Sequence, residues 1–226
     1  TWQRAETRLR EALTQFALAA QATYQGRLFA RDALQGLRLI DLCRELFDVV
    51  VMNPPFGLAT REKLEQIRES YPDGWVDLYA CFVSRAVQLC SGWVGVISSR
   101  SLLITKKLER LRSDLVVPRF ERLLDLGWPV MDDATVQSAA YTLNCTRDGP
   151  DDRVIVIDRK PYSDKANQLA SIASRLDSSA DCYFMSRATI ERLPKSKILY
   201  NLPSNTLRLF LKNETLGDAT IMAKVG

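Results

Sequence analysis

The sequence predicts an α/β domain built on a mostly parallel sheet. Short apolar, β-branched runs alternate with helical patterns as far as about residue 158, the signature of βα units. The clearest run, Asp48-Val49-Val50-Val51-Met52, is apolar through four consecutive positions, as suits a strand covered on both faces. It stops abruptly at Asn53-Pro54-Pro55-Phe56. In an open α/β sheet that is the carboxyl edge, where ligands bind.

Residues 1–26 read as one amphipathic helix, with Leu9, Leu13, Phe16 and Ala20 on a shared stripe. Strands are expected at 27–30, 48–52, 93–98, 121–126, 140–145 and 153–158, and helices near 35–46, 77–90 and 104–117. The turn-rich stretch Arg147 to Asp152 is too short for a helix, so the last two strands are expected to form an antiparallel pair. From Arg159 onward the pattern loosens and the charge turns positive, with 11 basic against 6 acidic residues. Lys160, Lys195, Lys197, Arg208 and Lys212 are candidates to meet phosphates, and a solvated basic face accounts for them equally well. The division expected is a helix at 1–26, a catalytic α/β domain at 27–158, and a basic extension or linker at 159–226 leading towards a target-recognition domain.

Composition excludes several function classes. The 226 residues are 46% hydrophobic, enough for a substantial core, yet no apolar stretch approaches the ~20 residues of a membrane-spanning helix. No secretory leader opens the chain, and a cytoplasmic location is expected. Five cysteines, Cys43, Cys81, Cys90, Cys145 and Cys182, are odd in number and contain no Cys-x-x-Cys pair, which argues against a disulfide framework or a zinc site. The chain has no histidine, so Ser-His-Asp and Cys-His nucleophiles and the usual zinc deaminase centre are excluded. No metal site is expected.

The strand end suits a planar ligand bearing an amino group. Pro54 pushes Asn53 into extended backbone, and two consecutive prolines stiffen the loop and remove two donors. An exocyclic amine on a nucleobase is a poor nucleophile because its lone pair is delocalised into the ring. The side-chain oxygen of Asn53 and the carbonyl of Pro54 are two acceptors that would favour the pyramidal, nucleophilic form. Phe56 can stack on the base, contributing roughly 1–3 kcal/mol against the few kcal/mol that extrusion from a duplex requires.

These residues resemble a known family. Asp48 to Phe56 is similar to the Asn-Pro-Pro-aromatic motif of S-adenosylmethionine-dependent DNA adenine-N6 methyltransferases, in their large restriction-modification and phage-defence branch, which includes type IIG and PglX-like enzymes. The likeness runs from about 27 to about 150. Leu28 to Leu34 resembles the segment whose acid, here Asp32, hydrogen-bonds the cofactor adenine. Asp77-Leu78-Tyr79 with Phe82 and Ala86 resembles the helix after the catalytic loop, and Gly92 to Ile97 the following strand. The resemblance implies a Rossmann-like methyltransferase fold and S-adenosylmethionine as cofactor. It also implies double-stranded DNA and other restriction or phage-defence subunits as partners, Asn53, Pro54, Pro55 and Phe56 as the catalytic residues, and Asp32 as the cofactor contact.

The chain departs from that pattern in one respect. The glycine-rich turn that lets backbone approach the cofactor has no counterpart, because no Gly-x-Gly occurs anywhere. The segment before Gly26-Arg27 leaves no room for a strand, a glycine loop and a crossover helix. The expectation is a piece of a longer enzyme, partial in fold and inactive by itself, with the cofactor loop upstream. Two other readings stay open: a methyltransferase acting on an RNA base or a protein glutamine, and a non-catalytic nucleic-acid-binding module on the same fold.

Overall fold

Two compact units make up the computed structural model of the protein, 1–46 and 47–226. It describes residues 2–19, 24–42, 45–128, 130, 136–146, 152–158 and 182–212. The first unit is helical, α1 (Trp2–Ala19) and α2 (Tyr24–Leu42), bridged by Arg10, whose guanidinium donates to both carboxylate oxygens of Asp41 at 2.6 Å. The strand expected at 27–30 therefore lies inside α2. From Leu28 onward Leu, Ala, Arg and Gln dominate, all strong helix formers, and three or four apolar residues without a turn on either side do not define a strand.

The second unit carries the sheet. Its strands are β1 (Phe47–Met52), β2 (Cys90–Ser99), β3 (Phe120–Gly127), β4 (Ser138–Asn144), β5 (Arg153–Asp158) and β6 (Cys182–Ser186), in spatial order β1-β2-β4-β3-β5-β6. Four strands, β1, β2, β3 and β5, point one way. β4 runs antiparallel between β2 and β3, and β6 antiparallel beside β5. The sheet is thus mostly parallel in direction, as the βα alternation predicts. The expected pairing of the fourth and fifth strands does not occur: β3 lies between them and pairs with β5 in parallel, Leu123 opposite Val156.

The helices that follow β1 are α3 (Arg61–Ser70) and α4 (Leu78–Gln88), and α5 (Arg187–Arg192) and α6 (Ser204–Lys212) end the described chain. The helix expected at 104–117 is present from Lys106 to Arg119 but irregular, 3₁₀ at Lys106–Leu108, π-type at Leu111–Val116 and 3₁₀ again at Val117–Arg119, which carries Pro118. One face of the sheet packs against α4 and these turns, burying Tyr79, Val83, Val94, Val96, Leu123 and Tyr141. Val50 and Met52 of β1 pack on that core, while Val49 and Val51 on the opposite face are 58% and 79% exposed. The reading of β1 as covered on both faces is therefore corrected. Among the described residues β1 is an edge strand, paired only with β2, and its apolar run reflects β-branched fit to a pleat as much as burial.

Candidate active site

Asn53 follows β1 directly, at the carboxyl edge shared by β2, β3 and β5. Its side chain is exposed, and among the described residues no hydrogen bond engages its amide. Pro54 beside it is buried. The strand carries the asparagine to the edge, and the proline pins the loop into the protein, which leaves the amide free in solvent.

The other end of the loop is clamped to α4. The N–H of Gly57 donates to Asp77 Oδ1 at 2.9 Å, and in return Leu78 N–H donates to the carbonyl of Gly57 at 2.7 Å. The same Asp77 oxygen caps α4 by accepting from Tyr79 N–H at 3.4 Å, so one carboxylate fixes both the loop and the helix start. Gly57 has φ +100°, a conformation side chains rarely adopt, which explains glycine at this turn. Burial raises the Asp77 pKa from its ordinary value, opposed by the N–H groups of Gly57, Tyr79 and Leu78.

Phe56 is half-buried and packs edge-on against Tyr79, with ring centroids 6.2 Å apart and planes at 68°. Tyr79 is fully buried, its hydroxyl 2.9 Å from Ser101 Oγ, and Ser99 Oγ donates to the same Ser101 oxygen at 2.9 Å. Burial and the Asp77 charge push the Tyr79 hydroxyl well above its ordinary pKa, with the Ser101 bond opposing them. Trp75, in the loop before α4, has the Arg68 guanidinium 4.9 Å from its ring centre. Phe82, which a helical stripe would place with Tyr79 in the core, is 47% exposed.

The structure thus assembles Asn53, Pro54, Pro55 and Phe56 in one loop at the sheet edge. Asp32 is exposed on α2, in the other unit, and not at a strand end. Sequence reasoning placed Asp77 on the helix after the loop but gave it no role. The signal was an Asp immediately before an apolar run, the ordinary mark of a helix N-cap. The buried Arg112, which donates to the carbonyls of Leu102, Thr105, Lys195 and Ser196, left no such signal.

The Asn-Pro-Pro-Phe loop thus ends a strand at the carboxyl edge of a sheet in which β4 is inserted antiparallel between β2 and β3. A profile of the Eco57I restriction-modification methylase family matches residues 13–127, half of the chain, and the chain belongs to that family. No curated protein matches the sequence. Among solved structures, a modification subunit assigned to a type I restriction enzyme from Vibrio vulnificus YJ016 aligns with TM-score 0.50 and 15% identity, over 70% of this chain and 37% of that one. The methyltransferase subunit of a type I restriction-modification system from Streptococcus thermophilus gives 0.47 and 17%, over 65% and 36%. A protein assigned as a class I S-adenosylmethionine-dependent methyltransferase from Listeria monocytogenes gives 0.45 and 12%, over 59% and 43%. The chain spans about two fifths of the length of these structures.

S-adenosylmethionine is the cofactor of this family. The described residues do not form a complete seat for it. Of the glycines described, Gly74 and Gly92 are closed over by the backbone of Ala80 and Asp48, Gly95 faces Val51, and Gly36 lies within α2. Gly57, with φ +100° and open space where a Cβ would stand, belongs to the Asn53 loop itself.

Proposed function

We propose that this chain is the target-base half of a DNA adenine-N6 methyltransferase, which transfers a methyl group from S-adenosylmethionine to an adenine extruded from double-stranded DNA in restriction-modification or phage defence. The observation that carries the reading is the exposed amide of Asn53, without a partner among the described residues, on a loop stiffened by two prolines and clamped at Gly57. A polar side chain on a braced backbone whose hydrogen-bonding groups are not engaged within the protein is available to a ligand. The Asn53 oxygen and the Pro54 carbonyl accept the two hydrogens of the adenine amine and hold its lone pair out of the ring, and Phe56 stacks on the base. Methylation leaves the amine with an extra, acidic proton that departs to water, so the absence of histidine is no obstacle. Asp32 is the one residue that the resemblance assigns to the methyl donor, and none of these steps depends on it.

The test is Asn53→Ala in the complete natural polypeptide that carries this sequence, followed by radiolabelled methyl transfer to duplex DNA. Losing one acceptor of a preorganised pair is expected to slow transfer 10²–10³-fold, by analogy with oxyanion-hole deletions, with circular dichroism unchanged. Parental activity in this variant, or product analysis placing the methyl group on cytosine or on protein, refutes the adenine assignment.

A further inference from the structure

Beside the catalytic loop lies a cavity of about 280 Å³ that the reading above does not use. Its walls include Leu58 and Trp75 on the loop side and Ser101, Thr105 and Lys107 on the turns that follow β2. Leu58 directly follows the clamped Gly57, so a ligand here lies next to whatever Asn53 and Phe56 hold.

Apart from the Asp77 carboxylate, which lines the same cavity, the polar side chains here are able to donate. Lys107 is exposed and has no carboxylate partner among the described residues. Glu109, two positions on, is engaged by Lys195 at 3.2 Å. The Thr105 hydroxyl makes no cap bond to the turn it precedes. Ser101 Oγ receives the Ser99 hydroxyl, and the Tyr79 hydroxyl, kept protonated by burial, is placed to donate to it as well. The Ser101 proton is then free to point into the cavity. Asp77 itself lines the cavity, and its Oδ1 is engaged by the N–H groups of Gly57 and Tyr79. An ammonium and two hydroxyl donors above an apolar floor of Leu58 and Trp75 match a phosphodiester with its deoxyribose.

We propose that Lys107, Thr105 and Ser101 form the seat for the DNA backbone phosphate next to the target nucleotide. This rests on the DNA reading above but not on adenine as the methylated base. The seat fixes the strand while the adjoining nucleotide swings towards Asn53, the usual division in which phosphate contacts position and base contacts specify.

Binding of a labelled duplex by the complete polypeptide over a range of salt concentrations, with Lys107→Ala and Lys106→Ala compared, tests this. Lys106 carries the same charge one position away and does not line the cavity. Lys107→Ala is expected to weaken binding roughly tenfold and to lower the log–log salt slope by about 0.9, the value for one phosphate contact, with Lys106→Ala within about twofold of the parent. The Lys107→Ala loss should be the same on a duplex whose target position is abasic. Equal losses in the two variants overturn the proposal, because a diffuse basic surface then suffices. A Lys107→Ala loss that vanishes on abasic DNA also overturns it, because the cavity then holds the base. If parental enzyme methylates a base other than adenine while the Lys107 pattern stands, the adenine reading falls and the phosphate seat is supported.

Discussion

Asp77 does for the catalytic loop what a disulfide would do in an oxidising compartment: it fixes the distance between Gly57 and the start of α4. The group that does this need only accept hydrogen bonds, and its charge is a burden. Burial raises its pKa, so the folded state holds the proton more tightly than the unfolded state and stability falls as pH rises through and just above the ordinary value of 3.8. Asp77→Asn keeps the accepting oxygen and removes that penalty. It is expected to retain methyl transfer within a few-fold of the parent and to flatten the stability profile just above pH 3.8. Asp77→Ala removes the acceptor, releases Gly57, and should lower kcat far more than it changes DNA affinity, together with a cap loss of about 1 kcal/mol. Transfer kinetics and denaturant melts across pH separate the two variants. An Asn variant as inactive as the Ala variant would show that the carboxylate charge itself is needed. Phe56 illustrates a second residue-scale point. A stacking role is legible from the motif, but its edge-on contact with Tyr79 is not, because Tyr79 is 23 positions away and only the fold brings the rings together.

At the scale of elements, legibility followed the strength of local patterning. Five strands and α4 were readable because each combines β-branched or apolar residues with a clear stop, such as Pro54 after β1 or Asp77 before α4. Helix α3, Arg-Glu-Lys-Leu-Glu-Gln-Ile-Arg-Glu-Ser, buries no residue and so shows no wide apolar stripe, and β6 is only five residues long. The partner of β5 was unreadable for a different reason: strand neighbours are set by non-local packing, and a short connection suggests a hairpin even where β3 intervenes. The loop itself was legible at residue level, whereas the clamp and the cavity beside it, made by residues 20–50 positions downstream, were not. The β1–β2 pairing yields an element-scale prediction. A Cβ built on Gly92 falls 2.2 Å from the carbonyl oxygen of Asp48, a backbone atom that no rotamer change can move aside. Gly92→Ala must therefore push β1 from β2 at the start of β1, at the end of the strand away from Asn53. It is expected to cost about 2 kcal/mol or more, a Tm fall of roughly 4–8 °C for a domain of this size. Methyl transfer should fall with it, because Asn53 is carried on the displaced strand. A calorimetric melt within 1–2 °C of the parent, the margin expected of a neutral surface change, would mean the strand accommodates the methyl group by bending.

At the scale of the whole catalytic unit, the carboxyl edge of the sheet is braced by a second polar cluster away from the loop. Asp125, at the end of β3, is completely buried. Arg100 donates to its two oxygens at 2.9 and 2.7 Å, and the hydroxyl of Tyr200 reaches it at 2.7 Å and Asp158, at the end of β5, at 3.0 Å. Asp125 and Asp158 are register partners. One phenol thus ties the chain after β6 to the ends of two parallel strands, while Arg100 ties in the turn after β2. Tyr200→Phe removes a hydroxyl shared by two carboxylates and leaves the ring in place, an expected loss of roughly 1.5–3 kcal/mol for bonds to charged acceptors. Its pH dependence has a definite sign. Burial, reinforced by Asp125 and Asp158, lifts the hydroxyl pKa far above its ordinary 10.0. The folded chain therefore keeps a proton that the unfolded chain loses above pH 10.0. The stabilisation is fully present below that pH and is lost as pH rises beyond it. Denaturant melts of parent and Tyr200→Phe are expected to differ by a constant amount between about pH 7 and 9 and to converge above about pH 10, with Asn53-dependent transfer at pH 7 affected far less than stability. A difference that grows above pH 10 would mean that the hydroxyl ionises in the folded protein and that the bridge between the strand ends is not held by its proton.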